Sequence, residues 1–310
     1  MAIDMKGKNL VSINDLSREE VAQILDTAEI IKLRHYSHEE QPLLKGKILG
    51  MIFQKPSLRT RVSFETGMIQ LGGQAIYLGP DDIKLGQREA TKDISRVLSR
   101  YVSGIMARTF SHEIILELAK YSSVPVINGL SDLLHPCQVL GDLLTIREKK
   151  GRLSNLKLVY IGDGNNVAHS LLFGAVKVGM DIVLTVPPGY EPEEEIVNLA
   201  KEDAKKIGCR IEIIQDPKEA IDGADIIYTD VWTSMGFEKE SEIRKDVFKP
   251  YQINQDLVDK AKDDVIILHC LPAHRGEEIT DEVIDGPHSV VIDQAENRLH
   301  AQKGVLALLL

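Results

Sequence analysis

The amino-acid sequence predicts an α/β protein with parallel sheets in two domains. Short apolar runs rich in Val and Ile alternate with amphipathic stretches of helical length, which is the pattern of βαβ units. The chain has 310 residues, which is long for one hydrophobic core and comfortable for two. The strongly polar stretch Arg147–Arg152 is the best place for a boundary between the domains.

The first half begins with a polar helix-like segment, Ser17–His35, and then alternates strand and helix signals. Its apolar runs predict strands at Ile48–Phe53, Ala75–Leu78, Gly104–Ala107 and Val124–Ile127. The stretches around them predict helices at Val62–Leu71, Ala90–Tyr101 and Glu113–Tyr121. Because helices separate the strands, we expect the strands to pair in parallel.

The second half repeats this alternation. Its predicted strands are Leu158–Ile161, Ile182–Val186, Ile211–Ile214, Ile226–Tyr228, Val265–Leu268 and Val290–Ile292. The closing stretch, Asp293–Leu310, predicts one more helix. The second half is therefore expected to form its own parallel sheet.

Composition opposes several classes of function. The net charge of −10 and the pI near 5.4 argue against binding to nucleic acid or to an anionic membrane. We therefore expect clustered basic residues to bind a small anion. The three cysteines form an odd, widely separated set, which favours a reducing compartment over a disulfide framework. We see no signal peptide, and no apolar run approaches the roughly 20 residues of a membrane span. We expect a cytoplasmic enzyme with no nucleic-acid or membrane partner.

The segment Lys55–Glu65 carries the strongest chemical signal. It lies between a predicted strand and a predicted helix, and it holds Ser57, Arg59, Thr60 and Arg61. The N-terminus of a helix presents unpaired N–H groups and the positive end of its dipole, and guanidiniums add donors that suit phosphate oxygens. The segment predicts a phosphate site. The alternative is a Ser57 helix cap with exposed arginines.

Further polar side chains follow the other predicted strands, where parallel α/β sheets bind their ligands. They are Arg108, His135 with Gln138, Asn165 with Asn166, Asp230 with Ser234-Met235-Gly236, and His269-Cys270-Leu271-Pro272. An imidazole and an amide suit a carbonyl oxygen and an amide nitrogen, whereas a carboxylate suits the ammonium of an amino acid. Asparagine amides suit a carboxylate, although they also favour turns.

Other chemistries fit less well. Gly162-Asp163-Gly164 resembles a dinucleotide fingerprint, but Val167 occupies the third glycine position and no acidic residue ends the next strand. The spacing of His269, Cys270 and His274 matches no common zinc pattern. Nucleophilic-hydrolase and P-loop signatures are missing from the sequence. We therefore expect neither a metal nor a cofactor.

Several motifs in register resemble the aspartate/ornithine carbamoyltransferase family. In order they are Ser-x-Arg-Thr-Arg, an isolated Arg108, His-Pro-x-Gln, Gly-Asp-x-Asn-Asn, Asp-x-Trp-x-Ser-Met-Gly, His-Cys-Leu-Pro and Glu-Asn-Arg. The resemblance runs from about Lys47 to the C-terminus. Ser-Met-Gly and His-Cys-Leu-Pro are the parts that favour ornithine over aspartate as the acceptor.

The resemblance implies an α/β fold with two doubly wound parallel-sheet domains. Residues 1–148 would bind carbamoyl phosphate, residues 149–292 would bind ornithine, and residues 293–310 would form a C-terminal helix that crosses back and packs on the first domain. It also implies a homo-oligomer, either a trimer or an assembly of trimers, with catalytic sites between subunits.

The implied reaction transfers the carbamoyl group of carbamoyl phosphate to the δ-amine of L-ornithine, giving L-citrulline and phosphate. One alternative is a carbamoyltransferase that acts on another amine, such as putrescine or a modified ornithine. A second alternative is a non-catalytic, anion-binding relative.

The resemblance also assigns site residues by motif. Carbamoyl phosphate would be bound by Ser57, Leu58, Arg59, Thr60, Lys84, Arg108, His135, Gln138, Cys270, Leu271 and Arg298. The catalytic members would be Arg108, His135, Cys270 and Thr60. Ornithine would be bound by Asn166, Asp230, Ser234 and Met235.

Two positions depart from the family pattern. Leu58 stands where many relatives have Thr, so one hydroxyl is lost although the backbone N–H remains. Lys84 stands where many ornithine enzymes have Gln, whereas aspartate enzymes lend a lysine in this region to the adjacent subunit. Lys84 is therefore either a phosphate ligand across a subunit boundary or a surface lysine.

Overall fold

The computed structural model describes residues 2–83, 85, 88–233 and 240–310, and the chain divides into two compact units. The first unit comprises the residues up to Leu144 together with Glu296–Leu310, and the second comprises Thr145–Ala295. The predicted assignment of residues 1–148, 149–292 and 293–310 to separate functional domains stays a prediction.

The first unit contains a four-stranded parallel sheet in the order β2-β1-β3-β4. Its strands are β1 (Ile48–Phe53), β2 (Gln74–Leu78), β3 (Gly104–Arg108) and β4 (Val126–Leu130). Its helices before the division are α1 (Arg18–Tyr36), α2 (Leu58–Gln70), α3 (Pro80–Ile83), α4 (Thr91–Leu98), α5 (His112–Tyr121) and the start of α6 (Pro136–Lys150). The predicted strands and parallel pairing are confirmed, with bounds shifted by a few residues.

The central strands of this sheet are apolar because both of their faces are covered. Strand β3 is buried throughout and β1 is buried except at its first residue, whereas the edge strand β2 is half exposed. The core includes Ile52, Ile105 and Val126 together with Ile115 from helix α5. This arrangement explains why β1 and β3 appear in the sequence as continuous apolar runs.

The second unit contains a five-stranded parallel sheet in the order β7-β6-β5-β8-β9. Its strands are β5 (Lys157–Ile161), β6 (Asp181–Thr185), β7 (Ile211–Ile214), β8 (Ile226–Thr229) and β9 (Ile266–His269). Its helices are α7 (Asn166–Val178), α8 (Glu194–Ile207), α9 (Pro217–Ala220), α10 (Ser241–Phe248), α11 (Gln255–Val258), α12 (Asp281–Ile284) and the start of α13 (Val291–Leu309), with a 3-10 turn at Lys249–Tyr251.

The predicted strand at Val290–Ile292 is wrong. Helix α13 begins at Val291, and the preceding backbone makes only an isolated bridge between Ser289 and Ile267. Val291 is buried while Ile292 is 72% exposed, which fits the first turn of a helix. Three consecutive β-branched residues resemble a strand, but the periodicity of so short a run cannot separate the two structures.

The strand order reverses once in each sheet, between β1 and β3 in the first unit and between β5 and β8 in the second. In parallel α/β sheets, ligands bind beyond the carboxyl ends of the strands at such a switch point. The topology therefore selects the residues that follow these strands as candidate site residues. Across the described ranges, no helix has both the length and the apolar character needed to cross a membrane.

Candidate functional site

The N-terminus of helix α2 forms an electropositive turn after strand β1. Ser57 caps the helix in an extended conformation (φ −159°, ψ 119°), and its Oγ accepts a hydrogen bond from the Thr60 N–H at 3.2 Å. The first turn contains no acidic residue, Arg59 is half-buried and Leu58 is 75% exposed. Ser57 is thus a cap, as the alternative interpretation held, and the turn still has the positive end of a helix dipole.

Two buried guanidiniums approach the Thr60 hydroxyl in the first unit. Arg108 ends strand β3, and its Nη1 lies 3.5 Å from Thr60 Oγ1. Arg298 lies on helix α13, and its Nη2 lies 3.4 Å from the same oxygen. All three side chains are at most 8% exposed. Two buried cations beside one neutral hydroxyl form a local environment that suits an anion with several oxygens.

His135, directly before helix α6, is a neutral member of this group. Its side chain is buried, and burial together with Arg298, Arg108 and Arg59 lowers the pKa of His135 well below its usual range. A neutral imidazole donates one hydrogen bond without adding a further positive charge. The environment of His135 therefore suits donation to a carbonyl oxygen.

Gln138, one turn further along helix α6, links two charged side chains. Its Oε1 accepts from Arg298 Nη1, and its Nε2 donates to Asp142 Oδ1 at 2.8 Å. The nearby Cys137 thiol is buried, and burial raises the pKa of Cys137 to about 12. Cys137 is therefore an inert core residue, whereas Gln138 belongs to the polar group.

Arg298 has a further partner that the sequence did not indicate. With its amide oriented so that both ends are satisfied, Gln302 accepts from Arg298 Nε at 3.3 Å and from Nη2 at 3.1 Å, and it donates to Ser63 Oγ at 2.5 Å. Ser63 in turn donates to the Arg59 carbonyl at 2.6 Å. These bonds connect helix α13 to helix α2, which carries the electropositive turn.

Asp230 follows strand β8 in the second unit and is only 6% exposed. Its Oδ2 accepts from Asn165 Nδ2 at 2.8 Å, and its Oδ1 accepts from Cys270 Sγ at 2.8 Å and from the Val231 N–H at 2.8 Å. These described donors are uncharged groups, so they solvate the carboxylate without neutralising its charge. The Asp230 carboxylate therefore suits an ammonium group.

Asn165 and Asn166 have different positions at the start of helix α7. Asn165 is the cap, since its Oδ1 accepts from the Val167 and Ala168 N–H groups at 2.9 and 3.2 Å. Asn166 is the first residue of the helix. The described hydrogen bond to Asp230 comes from Asn165, which was not among the predicted ornithine residues.

Buried side chains support the backbone of the segment after strand β9. The Leu271 N–H donates to His269 Nδ1 at 2.9 Å, at a position where Leu271 has a positive φ of 56°. His269 Nε2 therefore carries the ring proton and donates to Glu278 Oε1 at 2.9 Å. Both side chains are fully buried. The pair fixes the main chain directly after Cys270.

Two groups of possible metal ligands occur among the described residues, namely Asp230, His269 and Cys270, and His274, Glu277 and Glu278. In the first group, both ring nitrogens of His269 already form hydrogen bonds. A metal there would have to break one of them. The second group is mixed, since His274 is exposed while Glu278 is buried. The expectation of no metal stays a prediction.

A buried ion pair was also missed from the sequence. Arg244 Nη1 on helix α10 lies 2.7 Å from Asp163 Oδ2, after strand β5, and donates to the Trp232 carbonyl at 2.9 Å. Burial raises the pKa of Asp163, and the Arg244 charge opposes this shift. The partners are separated by 81 positions, so no local pattern marks them.

The structure thus groups some of the predicted residues within each unit. In the first unit, Thr60, Arg108, Gln138 and Arg298 form one contact network, and His135 lies within the field of its arginines. In the second unit, Cys270 contacts Asp230. Lys84, Ser234 and Met235 lie outside the described residues, and their predicted roles stay predictions.

Two family models match the chain. Residues 8–148 match the carbamoyl-P binding domain of aspartate/ornithine carbamoyltransferase. Residues 154–309 match the Asp/Orn binding domain of the same family. The first match ends inside helix α6, a few residues after the division between the compact units at Leu144 and Thr145, and the second match begins shortly after that helix.

Full-length relatives and solved structures agree with these models. The chain is 55% identical to the ornithine carbamoyltransferase of Pyrococcus abyssi, over 100% of this chain and 98% of the relative. It is similar to the structure of ornithine carbamoyltransferase from Pyrococcus furiosus, with a TM-score of 0.97, 54% identity and coverage of 99% and 98% of the two chains. For the enzyme of Gloeobacter violaceus, the TM-score is 0.88, the identity is 49% and the coverage is 98% and 99%. The chain therefore belongs to the aspartate/ornithine carbamoyltransferase family.

Proposed function

We propose that this protein transfers the carbamoyl group of carbamoyl phosphate to the δ-amine of L-ornithine, which yields L-citrulline and phosphate. The observation that carries this proposal is identity of 53–56% to relatives named ornithine carbamoyltransferase, over at least 99% of this chain. The buried cations of the first unit and the buried carboxylate of the second supply the two charges that these substrates require.

The phosphate group is assigned to the N-terminus of helix α2. The Ser57 hydroxyl retains its own proton for donation, because the bond it makes as a cap uses its oxygen. The Leu58 N–H is one of the unpaired donors of the first turn, so loss of a side-chain hydroxyl at this position still leaves a donor. Arg59 adds charge at the same end of the helix. Together these groups stabilise the departing phosphate.

The carbamoyl oxygen is assigned to Arg108, His135 and Thr60. As the amine attacks the carbamoyl carbon, negative charge develops on this oxygen, and fixed donors at such a position typically contribute about 2.7–4 kcal/mol each. Because burial keeps His135 neutral, it donates a hydrogen bond without a proton transfer. Arg298 and Gln138 complete the assignment at the carbamoyl end.

The acceptor is assigned to the second unit. Asp230 pairs with the α-ammonium of ornithine, a charge-assisted contact, and the amide of Asn166 donates to the α-carboxylate. Cys270 and Leu271 are assigned with carbamoyl phosphate, although they lie in the second unit after strand β9, where the buried His269–Glu278 pair holds the main chain. The assignments of Ser234 and Met235 rest on the sequence alone.

No covalent enzyme intermediate is needed for this chemistry. Holding two substrates in line already lowers the barrier, because their freedom of motion is removed before the reaction. The δ-amine has to be neutral to attack, and the leaving phosphate accepts its proton. The rate is therefore expected to rise with pH toward an alkaline optimum.

An acceptor panel tests the proposal. Citrulline-type products are measured with carbamoyl phosphate and ornithine, putrescine, or an ornithine acylated on its α-amine. We expect ornithine to have the highest kcat/KM, since putrescine lacks the carboxylate and the acylated compound lacks the α-ammonium. A higher kcat/KM with putrescine or with the acylated ornithine would show that the protein is a carbamoyltransferase for another amine. No turnover with any of the amines would show that it is a non-catalytic relative.

A separate part of the proposal is that the protein forms a trimer in which Lys84 acts in the site of the adjacent subunit. If Lys84 acts across a subunit boundary, Lys84→Ala and Arg59→Ala are each inactive, and mixing them with subunit exchange restores part of the activity. An inactive Lys84→Ala that gains nothing on mixing would place the lysine in its own chain's site. A fully active Lys84→Ala would make it a surface lysine. The cytoplasmic location also stays a prediction.

A further inference from the structure

The orientation of the Gln138 amide is specified from both of its ends. Its Nε2 donates to Asp142 Oδ1 at 2.8 Å, and a carboxylate can only accept. Its Oε1 accepts from Arg298 Nη1, and a guanidinium can only donate. A reversed amide would place NH₂ against a guanidinium and an oxygen against a carboxylate. The Gln138 oxygen therefore faces the side of Arg298, and the nitrogen faces Asp142.

We propose that Asp142 is a positioning residue that makes Gln138 a hydrogen-bond acceptor for the ligand, and that it thereby sets the preference for a carbamoyl over an acyl phosphate. This inference rests on the proposed function. A carbamoyl group ends in NH₂, which donates, whereas an acetyl group ends in a methyl group of similar size. An oxygen at the Gln138 position accepts a hydrogen bond from the NH₂ group and therefore favours it over the methyl group. A carbonyl oxygen has a second lone pair for this bond, beyond the one that Arg298 uses.

The placement of Asp142 suits this indirect role. It lies four residues after Gln138 on helix α6, so the two side chains occupy the same face of the helix. The Asp142 side chain is fully buried, and Gln138 is 1% exposed. A Leu at this position could not accept from Gln138 Nε2, so the Asp142 carboxylate is the described group that holds the amide nitrogen on this side.

The test uses two stable analogues that differ only at this group. Phosphonoacetamide ends in NH₂, phosphonoacetone ends in CH₃, and inorganic phosphate reports the anion site alone. Their affinities are measured by calorimetry for the full-length protein and for Asp142→Asn and Asp142→Leu. In Asp142→Asn the orientation is specified from one side only, and in Asp142→Leu the nitrogen loses its acceptor. We expect the ratio of amide to ketone affinity to fall about fivefold in the first variant and more than tenfold in the second, while phosphate affinity changes less than threefold.

A merely structural role for Asp142 would weaken all three ligands together and leave the ratio unchanged, and that result would overturn the proposal. Asp225→Asn is the matched control, because Asp225 is also buried and accepts from the Lys157 N–H at 2.8 Å and from Lys262 Nζ at 2.7 Å, outside both polar groups. Its ratio should equal that of the wild type. If Asp142→Leu fails to fold, the ratio in Asp142→Asn decides.

The charge-conserving variant Gln138→Glu/Asp142→Asn provides a rescue. The Asn amide then donates to a carboxylate at position 138, whose other oxygen faces Arg298 and the ligand as an acceptor. We expect the amide preference to recover above that of Asp142→Asn alone, and no recovery would count against control by acceptor orientation. The binding assay needs no ornithine, so a wild type that makes citrulline but whose Asp142 variants keep the ratio would refute only this inference. A wild type that binds none of the analogues would refute the proposed function as well.

Discussion

The two units build their polar groups with opposite charge and by different means. In the first unit, buried guanidiniums from β3 and α13 surround a neutral hydroxyl and a neutral imidazole at the end of a helix. In the second unit, a single buried carboxylate is surrounded by an amide, a thiol and a backbone N–H. The charged side chains described in the first group are cations and the one in the second group is a carboxylate, and the described neighbours of each are neutral polar groups.

The difference shows that two parallel sheets, each with one reversal of strand order, can carry polar groups of opposite charge. Both groups follow strands at the reversal of strand order, so the sheet determines the location and the side chains determine the sign. In the second unit a further carboxylate, Asp163, is paired with Arg244 and so does not add to the charge of Asp230. The comparison predicts that substitutions in one unit affect one substrate selectively.

The largest effect is expected for Arg108→Gly. This variant removes a buried donor from the oxygen on which charge develops, so kcat should fall at least about a hundredfold. Steady-state kinetics with citrulline detection measures the change, and circular dichroism checks the fold. Arg100→Gly, at an exposed arginine of the same unit, is the control and should keep its activity. Activity of Arg108→Gly within about threefold of the wild type would remove Arg108 from the reaction.

Asp230→Asn should produce a selective loss of acceptor binding. Because the carboxylate supplies the only buried negative charge assigned to the α-ammonium, the affinity for ornithine should fall about tenfold or more while that for phosphonoacetamide stays the same. Calorimetry measures both ligands. Asp222→Asn, at an exposed aspartate of the same unit, is the control. An equal loss for both ligands would contradict the division of charge between the units.

A smaller effect is expected for Cys270, whose thiol donates to Asp230. Cys270→Ala removes this donor and should lower kcat/KM for ornithine about tenfold, whereas Cys270→Ser keeps an O–H donor and should lose less. Cys209→Ala, at a half-buried cysteine outside the group, is the control. Identical kinetics for the Ala and Ser variants would show that the hydrogen bond to Asp230 has no role.

The sequence predicted the sheets well because their central strands are buried on both faces and appear as apolar runs. It also located the groups of polar residues, since these follow the strands directly. Asp142 could have been found too, because its spacing of four from Gln138 places both on one helix face. The strand predicted at Val290–Ile292 failed because a β-branched run of this length fits either structure.

Other features depend on tertiary structure and have no local signature. Asn165 and Asn166 are adjacent, and which of them reaches Asp230 depends on which residue caps helix α7. The pairing of Asp163 with Arg244 joins distant segments. The contact of Gln302 with Arg298 depends on how helix α13 packs beside helix α2 in the first unit. Asn165 and Gln302 contact the predicted residues Asp230 and Arg298, but the sequence does not show which side chains they reach.

The smallest expected effect is on the free energy of unfolding at acid pH. It tests whether the folded first unit keeps the His135 imidazole unprotonated. The pKa of His135 is lowered in the folded protein, mainly by burial and then by Arg298, Arg108 and Arg59. In the unfolded chain the imidazole takes up a proton below about pH 6.5, so the free energy of unfolding should fall as the pH drops below that value. His135→Gln lacks this contribution, and its unfolding free energy should fall less between pH 7 and pH 5. Urea denaturation at each pH measures the difference, with His38→Asn at an exposed histidine as the control. Parallel curves for the wild type and His135→Gln would mean that the folded site accepts the proton as readily as the unfolded chain does, and that burial and the neighbouring arginines do not keep the imidazole neutral.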